Sequence, residues 1–128
     1  MIKLYNTYKS LILEGVSPSK VTEAIEDKKR INIYYDGDDN EASGKRTIDV
    51  YSYGLSKAGN PIIRAYQVFG DTESEVPKWK TFRLDRITRW EPTGYKFHKP
   101  VSDLDASIPN FNHFGDESMS TVYKIAKF

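Results

Sequence analysis

Arg30-Ile31-Asn32-Ile33-Tyr34-Tyr35 is the stretch on which the fold turns. Its apolar residues alternate, so that Ile31, Ile33 and Tyr35 fall on one side. A period of two is the mark of a strand with one face buried. Immediately upstream the period is longer. Ser17-Pro18 has the form of an N-cap followed by proline in the first helical turn. A helix is predicted from about Pro18 to Lys29, with Val21, Ala24 and Ile25 on its apolar face and Glu23, Glu26 and Asp27 on its wet face. Further back, Leu4, Tyr8, Leu11 and Ile12 keep a helical spacing, with Gly15 as its stop. Residues 1–29 therefore read as a helical lead-in.

Downstream of Tyr35 comes Asp36-Gly37-Asp38-Asp39-Asn40-Glu41-Ala42-Ser43-Gly44, acidic and almost without apolar residues. It reads as a solvated hairpin loop. Asp36, Asp38 and Asn40 alternate as in a calcium loop, but the glycine at loop position 6 and the glutamate at position 12 are missing. A second strand is expected from Lys45 to Leu55, with Ile48, Val50 and Ser52 on one face. Ser56 to Asn60 is a turn. Pro61 to Phe69 is a third strand, with Ile63, Ala65 and Gln67 opposite Ile62, Arg64, Tyr66 and Val68. Gly70 to Lys78 is a polar loop. Trp79 to Leu84 and Ile87 to Glu91 complete the set, pinched around Asp85-Arg86. Five short strands joined by turns predict a small closed barrel over residues 30–94, since closure removes exposed edges. Residues 95–128 read as a tail wrapping the barrel. In its last ten residues Met119, Val122, Ile125 and Ala126 suit a helix, and Val122, Lys124, Ala126 and Phe128 suit a strand less well.

The composition is that of one globular domain: 38% hydrophobic, 29% charged and 13% aromatic, with nine tyrosines. There is no cysteine, which excludes disulfides, thiolate metal sites and a cysteine nucleophile. No apolar run approaches a membrane span, and Met1-Ile2-Lys3-Leu4-Tyr5 does not begin a signal peptide. The expectation is a cytoplasmic protein without a membrane partner. Net charge is +1 but unevenly spread. Residues 1–43 carry six Lys/Arg against eight Asp/Glu, residues 44–100 eleven against six, and residues 101–128 two against four. A basic middle between acidic ends suits a phosphate-bearing partner as well as an ordinary mixed surface.

From Val21 to Phe97 the chain resembles the WYL-domain family. The resemblance is carried by Ala24-Ile25 leading to Tyr35, by Arg46-Thr47-Ile48-Asp49-Val50, and by Gly54-Leu55. Gly59, Ile62-Ile63-Arg64-Ala65-Tyr66 and Phe82-Arg83-Leu84-Asp85-Arg86-Ile87 continue it. Two positions depart from the family pattern. Its naming tripeptide is here Pro61-Ile62-Ile63, and the proline of its second strand is here Val50. The resemblance implies an α+β, mostly β fold: N-terminal helices, a five-stranded Sm/SH3-like barrel and a C-terminal tail. It also implies a regulatory sensor of single-stranded DNA or nucleotides. The family often follows a helix-turn-helix domain, whose three helices need about twice the lead-in present here. The chain thus reads as a stand-alone member, of a form associated with phage genomes.

The residues expected to bind ligand are Arg46, Arg64, Tyr66, Lys80, Arg83 and Arg86. Arginine supplies forked donors for phosphate, and Tyr35, Tyr66 and Trp79 offer rings on which bases stack. The plainer alternative is that Asp85 pairs with Arg86 or Arg64 to fix the turn, and that Tyr35 and Trp79 are core. Catalysis has little support. His98 and His113 are the only histidines, and no spacing joins them to Asp103 or Asp105 as a metal site. No phosphate loop, GxSxG or paired-glutamate pattern occurs. The expectation is a non-enzymatic module without a cofactor, binding single-stranded nucleic acid or a nucleotide. The alternative is a structural or protein-interaction component of a phage particle or assembly, in which the chain would pair with itself or with another protein.

Overall fold

A computed structural model describes residues 16–38, 41–70, 79–98, 111–112, 115–116 and 119–128. The predicted first helix with its Gly15 stop, the loop at 71–78, His113, Asp103 and Asp105 lie outside the described residues. Helix α1 (Pro18–Glu26) begins as expected: the Ser17 side chain accepts from the Lys20 N–H, and proline follows it. It is shorter than predicted, because Lys28 takes a left-handed φ of 55° and turns the chain into β1 (Lys29–Tyr35). Val21, Ala24 and Ile25 are buried against the sheet.

The strands are β2 (Gly44–Ser56), β3 (Pro61–Gly70), β4 (Trp79–Arg83), β5 (Ile87–Lys96), β6 (Phe111–Asn112), β7 (Gly115–Asp116) and β8 (Met119–Ile125). A 3₁₀ turn, Leu84–Arg86, joins β4 to β5. Among the described residues β6 and β7 pair only with each other. The others form one antiparallel sheet in the order β4-β3-β2-β1-β5, with β8 on β2. The closed five-stranded barrel expected from the sequence is thus replaced by an open six-stranded sheet, and of the expected N-terminal helices α1 is the one that the described residues contain. β5 gives its ladder to β1, from Lys29↔Lys96 to Tyr35↔Ile87, and no register joins it to β4 among the described residues. The sheet still curls. Tyr35 of β1 meets Phe82 of β4 edge-on at 4.9 Å between ring centroids, and its hydroxyl accepts the Arg83 N–H at 3.0 Å.

β2 is the spine of this sheet. One edge carries β3 along most of its length. The other carries β1 on Gly44–Asp49 and β8 on Ser52–Ser56. Between those two partners β2 is bulged at Tyr51, whose carbonyl accepts the Ala126 N–H at 2.8 Å. The bulge shifts the alternation by one residue. Val50 faces Ala65 and Tyr53 faces Ile63, both in the main core, whereas Ser52 faces Arg64 on the opposite side. The prediction that Ser52 shares a face with Ile48 and Val50 is corrected accordingly. β5 also runs further than expected, through Pro92 to Lys96. A proline in that position is tolerated because β5 is an end strand of the ladder.

The last strand is a second correction. Met119 to Ile125 is extended rather than helical, docked on β2. Gly54 makes the docking possible. A Cβ there would stand 2.0 Å from the Thr121 carbonyl oxygen and 2.8 Å from Met119 Sδ.

Candidate functional site

Alternation along β3 and β4 sorts the predicted residues onto two faces. Ile63, Ala65 and Gln67 turn inward on β3, as do Phe82 and Lys80 on β4. Cross-strand pairs Ile62↔Arg83, Arg64↔Thr81 and Tyr66↔Trp79 line the other face. The six predicted residues therefore do not form one cluster.

Arg46 and Lys80 belong to the interior. Arg46 is only 1% exposed, and donates to Glu41 Oε1 at 2.8 Å, to Gln67 Oε1 at 3.1 Å and to the Ala42 carbonyl. Its guanidinium lies 5.2 Å from the Phe82 ring centre and 5.7 Å from that of Tyr35. Lys80, 4% exposed, places Nζ 3.6 Å from the same Glu41 oxygen. Two cations thus fasten the β1–β2 loop to the core through one carboxylate. The Tyr35 hydroxyl adds a third link, donating to Asp38 at 2.5 Å. Burial and that bond both push the phenol above its usual range, so it stays a neutral donor.

Arg64, Tyr66 and Arg83 belong to the second face. Arg64 donates to the Thr81 hydroxyl at 2.8 Å, and the half-buried Tyr66 ring meets Trp79 edge-on at 5.3 Å. Arg83 forms a fork with Asp85, at 3.1 and 2.6 Å, while a third of its side chain stays exposed, 33%. Asp85 thus fixes the turn as one reading had it, but through Arg83 rather than Arg86 or Arg64. Arg86 sits at the bend. Its carbonyl accepts the Asp36 N–H at 2.7 Å, and its guanidinium reaches the Gly37 carbonyl at 3.4 Å. Tyr35 and Trp79 are buried, as the core reading of them required.

Sequence reasoning missed the other end of this face. Registers Arg30↔Asp49, Asp49↔Tyr66 and Tyr66↔Trp79 align one row across four strands. Arg30 holds Asp49 in a two-pronged ion pair, at 2.9 and 3.1 Å. Asp49 is 3% exposed. Burial drives its carboxyl above the ordinary range, against the pull of Arg30, and the same pair raises the Arg30 guanidinium. Beside the row, Tyr51 lies 4.9 Å from both Trp79 and Phe97, ring centre to ring centre. A cavity of about 310 Å³ opens here, lined by Arg30, Asp49, Tyr51, Tyr66, Val68 and the segment Lys96–His98. The alternation of β1 places Arg30 on the wet face, which was the available signal. Its partner across the sheet depends on a register that no single strand reveals.

The described residues thus define a small antiparallel β-domain with a sealed polar interior and a second face that joins arginines to aromatic rings. The family model for the WYL domain matches residues 18–92, more than half of the chain, and the chain belongs to that family. The match takes in α1 and β1 to β4 and ends within β5, before Lys96–His98 and β8. No curated protein and no solved structure matches the chain. Among the described residues no helix is long and apolar enough to cross a membrane.

Proposed function

We propose that this WYL-domain chain is a regulatory, non-enzymatic binding module that takes single-stranded nucleic acid or a nucleotide on its second face. The observation that carries the reading is the cross-strand arrangement of Arg64, Tyr66 and Arg83 on one side of the β3–β4 hairpin. Forked donors beside a ring are what a phosphate and its attached base require. Arg46 and Lys80 have a different task in this reading: they hold the loop and the core together. Arg86 ties the turn to that loop at the rim.

A tail lying over Arg64 and Arg83 would favour the alternative, a part of an assembly. Among the described residues of that tail, β8 pairs with β2 on the edge away from β3. The test is fluorescence anisotropy of a labelled single-stranded oligonucleotide with wild type and with Arg64→Ala/Arg83→Ala, at low and physiological salt. Salt-sensitive binding that is lost in the folded double variant supports the proposal. Equal binding by both proteins, or none by either, removes it.

A further inference from the structure

The cavity at the Arg30 end of the second face is built partly from residues beyond the family-matched segment, Lys96, Phe97 and His98. Its lining combines two chemistries. Tyr51, Tyr66 and Phe97 give aromatic surface, and Arg30, Lys96 and His98 give donors around a single carboxylate, Asp49. Asp49 is already engaged by the N–H edge of Arg30. That pair is close to neutral, and it fixes the guanidinium as a plane whose face can stack. The Arg30 side chain keeps 29% of its surface exposed. Lys96 and His98 are both exposed, and neither side chain has a hydrogen-bond or ion-pair partner among the described residues. The lining therefore suits a ligand that is flat at one end and anionic at the other. At about 310 Å³ the cavity stands at the lower end of small-molecule sites, which span roughly 300–1,000 Å³. That is space for one such unit rather than several. A larger hollow, about 490 Å³ over β1, β2 and β5, has one aromatic ring in its lining, Tyr34, against three here.

We propose that this cavity holds one nucleotide unit, its base against Tyr66 and the face of Arg30, its phosphate on Lys96 and His98. The inference rests on the nucleic-acid reading above and adds to it a subsite completed by residues beyond the family-matched segment. A free nucleoside monophosphate and a nucleotide within a strand present the same chemistry, and the experiment separates them.

Each of the four nucleoside 5′-monophosphates is titrated calorimetrically into the full chain, and a labelled single-stranded oligonucleotide is titrated by anisotropy. Wild type is compared with Lys96→Ala/His98→Ala, with Tyr66→Leu, and with Lys57→Ala in the exposed turn as a control. Circular dichroism checks that each variant is folded. The expected result is binding weakened roughly tenfold in Lys96→Ala/His98→Ala, the scale of one charge-assisted contact, and unchanged in Lys57→Ala. If a monophosphate binds and the strand competes with it, the free nucleotide is a ligand of the pocket. If only the strand shows the loss, the pocket reads a nucleotide within it. Strand binding that is equal in wild type and Lys96→Ala/His98→Ala, with no monophosphate bound, overturns the subsite. In that case a loss confined to Arg64→Ala/Arg83→Ala leaves the wider proposal standing. No binding of any probe overturns both.

Discussion

At the scale of the residue, Arg46 and Asp49 are two buried charges with opposite consequences. Arg46 is held by Glu41, Gln67 and a carbonyl, with two rings around it. Its removal takes the nearer of two cations from Glu41, takes a donor from Gln67 and the Ala42 carbonyl, and empties the space between the rings; breaking a buried ion pair costs about 3–5 kcal/mol. Arg46→Ala is therefore expected to lose about that much in urea unfolding. Arg64→Ala, on the second face, is expected to lose much less. Asp49 sits above the ordinary carboxylate range in the folded protein because it is buried. The fold then binds the proton more tightly than the unfolded chain does, so acidification favours folding through this group. Its contribution is fully present below the ordinary carboxylate value and is lost as pH rises through the higher folded one. That is opposite to a carboxylate whose value is depressed. Arg30→Met removes the group that pulls Asp49 down, so a carboxyl NMR titration should show its midpoint above the wild-type value. Part of this was legible. Lys80 alternates with Phe82 along β4, and that phase, rather than its charge, decides that it points inward. Arg30 and Asp49 are nineteen positions apart and meet only through the register of β1 on β2.

At the scale of the element, β8 shows how a strand can imitate a helix in sequence. Met119, Val122 and Ile125 are spaced by three, and the helical prediction followed from that. In the structure Tyr53 faces Lys124 but Gly54 faces Val122, and Leu55 faces Thr121 but Ser56 faces Met119. Tyr123 and Ser120 are the extra residues. Each bulge adds one position to a period of two, and two bulges produce the spacing of three. Such irregularities are set by the partner strand. The other elements were read well in kind, because α1, β1, β3 and β4 have clean periods, and poorly at their ends, as with Pro92 in β5. The fit of β8 depends on Gly54. Gly54→Ala is expected to destabilise the protein by about 1–3 kcal/mol, the usual cost of overpacking. Hydrogen exchange should locate the damage: the β8 amides lose protection while those of β3 and β4 keep theirs.

At the scale of the molecule, the curled sheet separates two kinds of basic residue. Arg46 and Lys80 are sealed inside by Glu41, whereas Arg64, Arg83 and Arg30 stand on the second face. The sequence total of +1 conceals this division. If the second face engages phosphates, log K should fall with log salt by about 0.7 for each phosphate contacted on a single strand. Arg64→Ala/Arg83→Ala should then reduce the magnitude of that slope by about 1.4, measured by anisotropy across a salt series. Closure of the sheet was not legible, because five strands with turns fit an open sheet as well as a barrel. What decides is how β5 spends its ladder. The double occupancy of one β2 edge also bears on the order of synthesis. β1 meets β2 as soon as both have left the ribosome, but β8 emerges only after β3, β4 and β5. Until then the Ser52–Ser56 edge stands bare, and a bare edge is a template for any passing strand. Docking of β8 is thus the step at which this stretch of β2 stops being open to other chains.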